Sequence, residues 1–149
     1  MKALALSFGL ILGFTLVGCS SLSPTVDGKT HVYSLKQQCP ALLEMSVGQT
    51  LELTLPENPT TGYIWQVAEP QNILKVEEIY RQDQGESQPP MVGMGGQKQF
   101  IFTALQPGEE WIHVKHGRSW EQNPVDEWRC RVRVSRFNFL DYFVKRDIY

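Results

Sequence analysis

Between Leu51 and Ser135 the chain repeats one pattern, short runs in which every second residue is apolar, each closed by a cluster of turn-forming residues. Leu51, Leu53 and Leu55 alternate with Glu52 and Thr54; Tyr63, Trp65 and Val67 with Ile64 and Gln66; Ile112 and Val114 with His113 and Lys115. A period of two sends successive side chains to opposite faces of an extended strand, and no long helical period competes. Residues 39–45, 73–81, 97–104 and 127–135 raise the number of strands to about seven, separated at "VGQ", "PENPTTG", "QGESQPP", "QPGEE" and "QNPVD". This spacing predicts an all-β fold, an immunoglobulin-like antiparallel β-sandwich. With 149 residues, 42% of them hydrophobic and 20% charged, the chain can bury one modest core. A net charge of -2 provides no basic face for nucleic acid.

The first eighteen residues stand outside that pattern. Lys2 precedes an apolar run from Ala3 to Val17 that ends in Gly18, Cys19 and Ser20, which is the layout of a signal sequence. Leu16-Val17-Gly18-Cys19 resembles a bacterial lipobox, in which the cysteine thiol is acylated and becomes the first residue of the mature chain; the alternative is a soluble secreted protein with a chance cysteine. The resemblance implies lipidation of Cys19 and a domain held at the membrane of the cell envelope but outside the bilayer. Residues 19–30 then read as a tether, 31–136 as the sandwich domain, and 137–149, "FNFLDYFVKRDIY", as an aromatic extension that packs on the domain or meets a membrane or partner. Cys39 and Cys130 remain in an oxidising compartment. Both fall on the inward phase of their strands and are candidates for a disulfide, with two buried free thiols as the alternative.

Strands that alternate in direction bring three connections to one end: residues 57–62, 82–96 and 117–126. The first is stiff. Asn58 is held extended by the proline after it, Pro59 has a fixed φ, Gly62 can take φ above zero, and the hydroxyls of Thr60 and Thr61 can bond nearby backbone. That chemistry suits a hairpin turn and equally a preorganised recognition loop. The second carries Gly93, Met94, Gly95 and Gly96, where backbone can approach a partner; it leads into a strand and not a helix, which excludes a phosphate-binding loop. The third places Arg118 and Trp120 near its tip, the residue types most enriched at interface hot spots.

"NPTTGY", "GMGG" and "RSW", in that order on strands of this spacing, resemble the chagasin-like inhibitors of papain-family cysteine peptidases. The resemblance covers roughly residues 39–136 and implies a monomeric, reversible, tight-binding, non-covalent inhibitor whose three loops form a wedge in the peptidase cleft. It assigns Asn58, Pro59, Thr60, Thr61, Gly62 and Tyr63 to the catalytic cysteine, with the threonines nearest. Gly93, Met94, Gly95 and Gly96 go to the non-primed side, and Arg118 and Trp120 to the primed side. In that family the third motif usually reads Arg-Pro-Trp, and here Ser119 stands in place of the proline. A structural or assembly-type envelope lipoprotein with the same fold is the competing reading.

No catalytic constellation competes. His113 and His116, three apart on a strand, face opposite ways and cannot share a metal. Ser119 lacks the G-x-S-x-G setting of a hydrolase nucleophile. Glu77 with Glu78, and Glu109 with Glu110, are adjacent pairs that a strand splits. Arg129, Arg131 and Arg133 line an outward face that reads as solvated, with anionic lipid the alternative. The chain is expected to be no enzyme and to need no cofactor or metal.

Overall fold

Alternation becomes burial along the central strands. The computed structural model describes residues 29–83, 93 and 95–136; the signal sequence, Cys19, Met94, residues 84–92 and the aromatic extension lie outside them. The strands are β1 (Thr30–Ser34), β2 (Leu43–Ser46), β3 (Thr50–Glu57), β4 (Ile64–Val67), β5 (Leu74–Gln82), β6 (Gly96–Ala104), β7 (Gly108–Gly117) and β8 (Asp126–Ser135). They form two four-stranded sheets, in the orders β1-β3-β6-β5 and β2-β8-β7-β4. Between the sheets lie Leu51, Leu53, Leu55, Phe100 and Phe102 from one side and Trp65, Ile112, Val114, Cys130 and Val132 from the other, each 1% exposed or less. Sandwiching these faces removes both apolar surfaces from water at once, which neither sheet achieves alone.

The expected sandwich is present with eight described strands and mixed pairing. β1 runs parallel to β3, with Thr30 beside Thr50, and β2 runs parallel to β8, with Leu43 beside Val132. The other pairs are antiparallel. β1 begins at Thr30, where the tether was expected to end; its inward residues are His31 and Tyr33, and inward polar groups hide a strand from a search for apolar alternation. The run 39–45 is a strand only from Leu43, since Ala41 is exposed and the stretch before Leu43 is irregular. Cys39 and Cys130 form a disulfide, with Cα atoms 5.3 Å apart. It fastens the crossing between β1 and β2 to the central strand β8 and, by closing a long loop, restricts the unfolded chain. Beside it the Trp128 indole donates to the Gln37 carbonyl at 3.0 Å.

Outward-facing charges pair across and along the strands. Glu109 meets Arg131 at 2.8 Å and Arg133 at 2.7 Å, and Glu127 meets Arg129 at 2.8 Å. Hydrogen bonds from Arg133 first, then Arg131, hold the Glu109 carboxyl below the usual carboxylate range; His113, then Arg129, do the same for Glu127. His31 behaves differently. It is buried, neither ring nitrogen has a well-formed hydrogen bond, and burial lowers its pKa, with the Gln49 side chain offsetting part of the effect.

A histidine that resists protonation only when folded stabilises the fold above its ordinary pKa and withdraws that contribution as pH falls toward the folded value. Thermal unfolding should therefore show stability dropping from about pH 7 to about pH 5, around the free-histidine value near 6.5. His31→Gln should flatten this interval and leave only the later, more acidic loss tied to Glu109 and Glu127. An unchanged slope in the variant would contradict the assignment to His31.

Candidate functional site

Register fixes which loops meet. Glu57 and Gln82 both lie beside Gly96 across β6, and Ile64 lies beside Gly117 at the end of β7. The β3–β4, β5–β6 and β7–β8 connections thus leave from one end of the sandwich, as strand alternation requires. At that end β3, in one sheet, passes its chain to β4, in the other. The crossing is held by Glu57, a residue that does not stand out in the sequence. Its buried carboxylate accepts the Trp65 backbone N–H, and the Trp65 indole donates to the Pro56 carbonyl at 2.9 Å. The available signal was phase: Glu57 continues the inward series of Leu51, Leu53 and Leu55, and a carboxylate on a core face at a strand end needs an N–H to accept.

Above this crossing the first loop folds into one turn of 3-10 helix, Pro59–Thr61, with proline at its start. The Asn58 side-chain oxygen caps it, accepting from the Thr60 N–H at 3.2 Å and the Thr60 hydroxyl at 2.6 Å. The Thr61 hydroxyl donates to the Asn58 carbonyl at 2.7 Å, and the Gly62 N–H closes on the Pro59 carbonyl at 3.0 Å. Gly62 has φ +80°, a left-handed conformation that glycine adopts without strain. Both threonine hydroxyls are therefore spent inside the loop.

Two links join the first loop to its neighbours. The Asn58 amide donates to the Gly93 carbonyl at 3.1 Å, so one side chain caps the turn and ties it to the second loop. From the third loop Arg118 donates through Nε and Nη2 to the Thr61 carbonyl at 3.3 and 3.2 Å. Its guanidinium lies over the Tyr63 ring at 4.2 Å and also reaches Glu121 at 3.3 Å. Such a stacked, forked contact is available to arginine and not to lysine. Beneath, His116 stacks on Trp65 with ring centres 4.6 Å apart and planes within 9°.

The described residues of the expected site are thus brought together at one end, where several also hold the loops in place. Arg118 was expected to face a partner; it is half-buried and holds the first loop. Trp120 is 73% exposed, with the Arg118 guanidinium 5.8 Å from its ring centre. The glycine run was expected to admit a partner's backbone, but Gly96 serves the fold: a Cβ there would collide with the Arg81 carbonyl oxygen of β5. Gly93 has open space around it, while Met94 lies outside the described residues. His113 and His116 do face opposite sides: His113 pairs with Glu127 at 3.1 Å, and His116 stacks inward on Trp65. Glu110 accepts the N–H groups of Asn72 and Ile73, far from any second carboxylate role.

Comparison with known proteins gives a consistent picture. The sequence profile of the Chagasin family peptidase inhibitor I42 matches residues 44–134. Chagasin of Trypanosoma cruzi is 29% identical over 101 residues, 62% of this chain and 86% of that protein. Amoebiasin-1 of Entamoeba histolytica is 33% identical over 84 residues, 56% of this chain and 79% of that protein. In fold the chain is similar to the cysteine protease inhibitor EhICP2 of Entamoeba histolytica, with TM-score 0.60 and 23% identity over 71% of this chain and 96% of that one.

The double duty of Asn58 is separable by mutation. Asn58→Asp keeps the acceptor for Thr60 and loses the donor to Gly93, whereas Asn58→Ala loses both. Amide exchange at Thr61 and Gly62 should accelerate in both variants, more in Asn58→Ala, by up to roughly tenfold for one hydrogen bond worth about 1 kcal/mol. Exchange unchanged in both would mean that the cap does not hold the turn.

Proposed function

The chain belongs to the chagasin family of peptidase inhibitors, and from that premise we propose that its three joined loops enter and block the active-site cleft of papain-family cysteine peptidases. The observation that carries this reading is the linkage itself. The turn of residues 58–62 is bonded to Gly93 on one flank and to Arg118 on the other, so the loops dock as one body and lose little conformational freedom on binding.

In this reading residues 58–63 cover the catalytic cysteine, Gly93, Met94, Gly95 and Gly96 follow the non-primed side, and Trp120 packs on the primed side with Arg118 behind it. Inhibition is reversible and non-covalent. The Asn58 and Pro59 carbonyls accept hydrogen bonds within a helical turn, so the segment nearest the nucleophile is not the extended strand that a peptidase cleaves. The exposed indole of Trp120 is the largest single source of affinity, since covering an aromatic ring of this size yields roughly 2–4 kcal/mol. The chain acts by occupancy and as a monomer. The same proposal places it in the bacterial cell envelope, held by lipid on Cys19, on the strength of residues 16–19.

The Ser119 substitution sits where a test is simple. Residues 118–121 form a turn closed by the Glu121 N–H on the Arg118 carbonyl at 3.0 Å, and Ser119 holds its second position, which suits the fixed φ of proline. Titration of papain with the wild-type chain should show inhibition below micromolar concentrations. Trp120→Ala should weaken it by about 2 kcal/mol, roughly thirtyfold, without moving the melting temperature. Ser119→Pro should tighten it by roughly 0.4–1 kcal/mol. No inhibition of papain or cathepsin-like enzymes at micromolar concentration would overturn the proposal.

A further inference from the structure

The end of the sandwich opposite the three loops also exposes apolar side chains. Val47, on the β2–β3 turn, is 41% exposed and Leu105, on the β6–β7 turn, is 56% exposed. Backbone hydrogen bonds draw these turns together with both ends of the described domain. Val47 N–H donates to the Ser135 carbonyl at 2.9 Å, Gly48 N–H to Ala104 at 2.8 Å, Leu105 N–H to Ile73 at 2.9 Å, and Thr50 N–H to Lys29 at 3.0 Å. One pole therefore gathers two exposed aliphatic residues, Lys29 where the chain from Cys19 arrives, and Arg136 where the aromatic segment 137–149 continues. Neither turn, 47–49 nor 105–107, contains a carboxylate.

We propose that this pole is a lipid-facing surface. Val47 and Leu105 enter the interfacial layer of a bilayer, Lys29 and Arg136 meet its anionic headgroups, and the three loops point away into water. The proposal rests on the anchored reading in one respect, that lipid at Cys19 supplies the proximity. Nine residues, hence ten Cα–Cα steps, separate Cys19 from Lys29 and can span at most roughly 35 Å. A ten-residue strand such as β8 is itself about 33 Å long, so the tether alone would let the domain lie on its side or turn its loops to the membrane. Small apolar and basic contacts are weak in free solution but act at the high local concentration a tether enforces. The functional consequence is that the blocking loops are held about 30 Å above the surface, the length of a sandwich strand. They would therefore meet peptidases arriving from the aqueous side.

The test couples the chain from Cys19 to Tyr149 through the Cys19 thiol to a maleimide lipid in phosphatidylethanolamine–phosphatidylglycerol vesicles. Hydroxyl-radical footprinting then compares it with the same chain capped at Cys19 in solution. Oxidation of Val47 and Leu105 should fall several-fold on vesicles while that of Trp120 stays the same. Unchanged oxidation at both turns would overturn the proposal, as would protection of Trp120. So would turns already shielded in the free chain and uncovered only by removing residues 137–149, which would make that segment their cover. Because the maleimide supplies the anchor and no peptidase is present, the result stands apart from both earlier readings. Native acylation is decided separately by the mass of the N-terminal peptide.

Discussion

The buried Glu57 carboxylate, accepting the N–H of Trp65, is the interaction on which the rest of this structure depends. It lies where the chain leaves one sheet for the other, and with the Trp65 indole on the Pro56 carbonyl it closes the mouth of the first loop. Below it the two sheets share a core; above it a single helical turn has a fixed base. Without a partner for the Trp65 N–H, a buried donor would go unmet at a cost of about 1–3 kcal/mol. The first loop would also lose the base on which its bonds to Gly93 and Arg118 are aligned.

Rigidity is then passed outward by side chains that each do two things. Asn58 caps the turn and reaches the second loop. Arg118 bonds the Thr61 carbonyl and stacks on Tyr63, which leaves Trp120, two residues on, projecting into solvent. This division separates positioning from contact. The residues that hold the tip are half-buried and hydrogen-bonded, and the large apolar side chain of Trp120 is exposed. A family of inhibitors needs this separation, because affinity is lost if binding must first order the loops.

Much of this was legible in the sequence, and the exceptions have physical causes. The core series of β3, β6, β7 and β8 followed from alternation, because apolar side chains carry the signal directly. Direction reversal placed three loops at one end before any contact was known. β1 escapes the alternation because its inward residues are His31 and Tyr33, and its parallel partner β3 follows only after a strand of the other sheet, which no local pattern encodes. Glu57 was missed because a carboxylate on a core face looks like an interruption until the N–H that it satisfies is seen. That Arg118 also holds the Thr61 carbonyl is not legible, because composition reports what an arginine can reach and not which carbonyl it finds.

The central claim is that three loops act as one binding body, and amide exchange in a complex reads this directly. The partner is papain with its catalytic cysteine replaced by alanine, which removes any covalent step. The account predicts simultaneous protection at residues 58–63, at 93–96 and at 118–121, with the outer face around Trp111 unchanged. Protection confined to a single loop, or appearing on the Trp111 face instead, would contradict it.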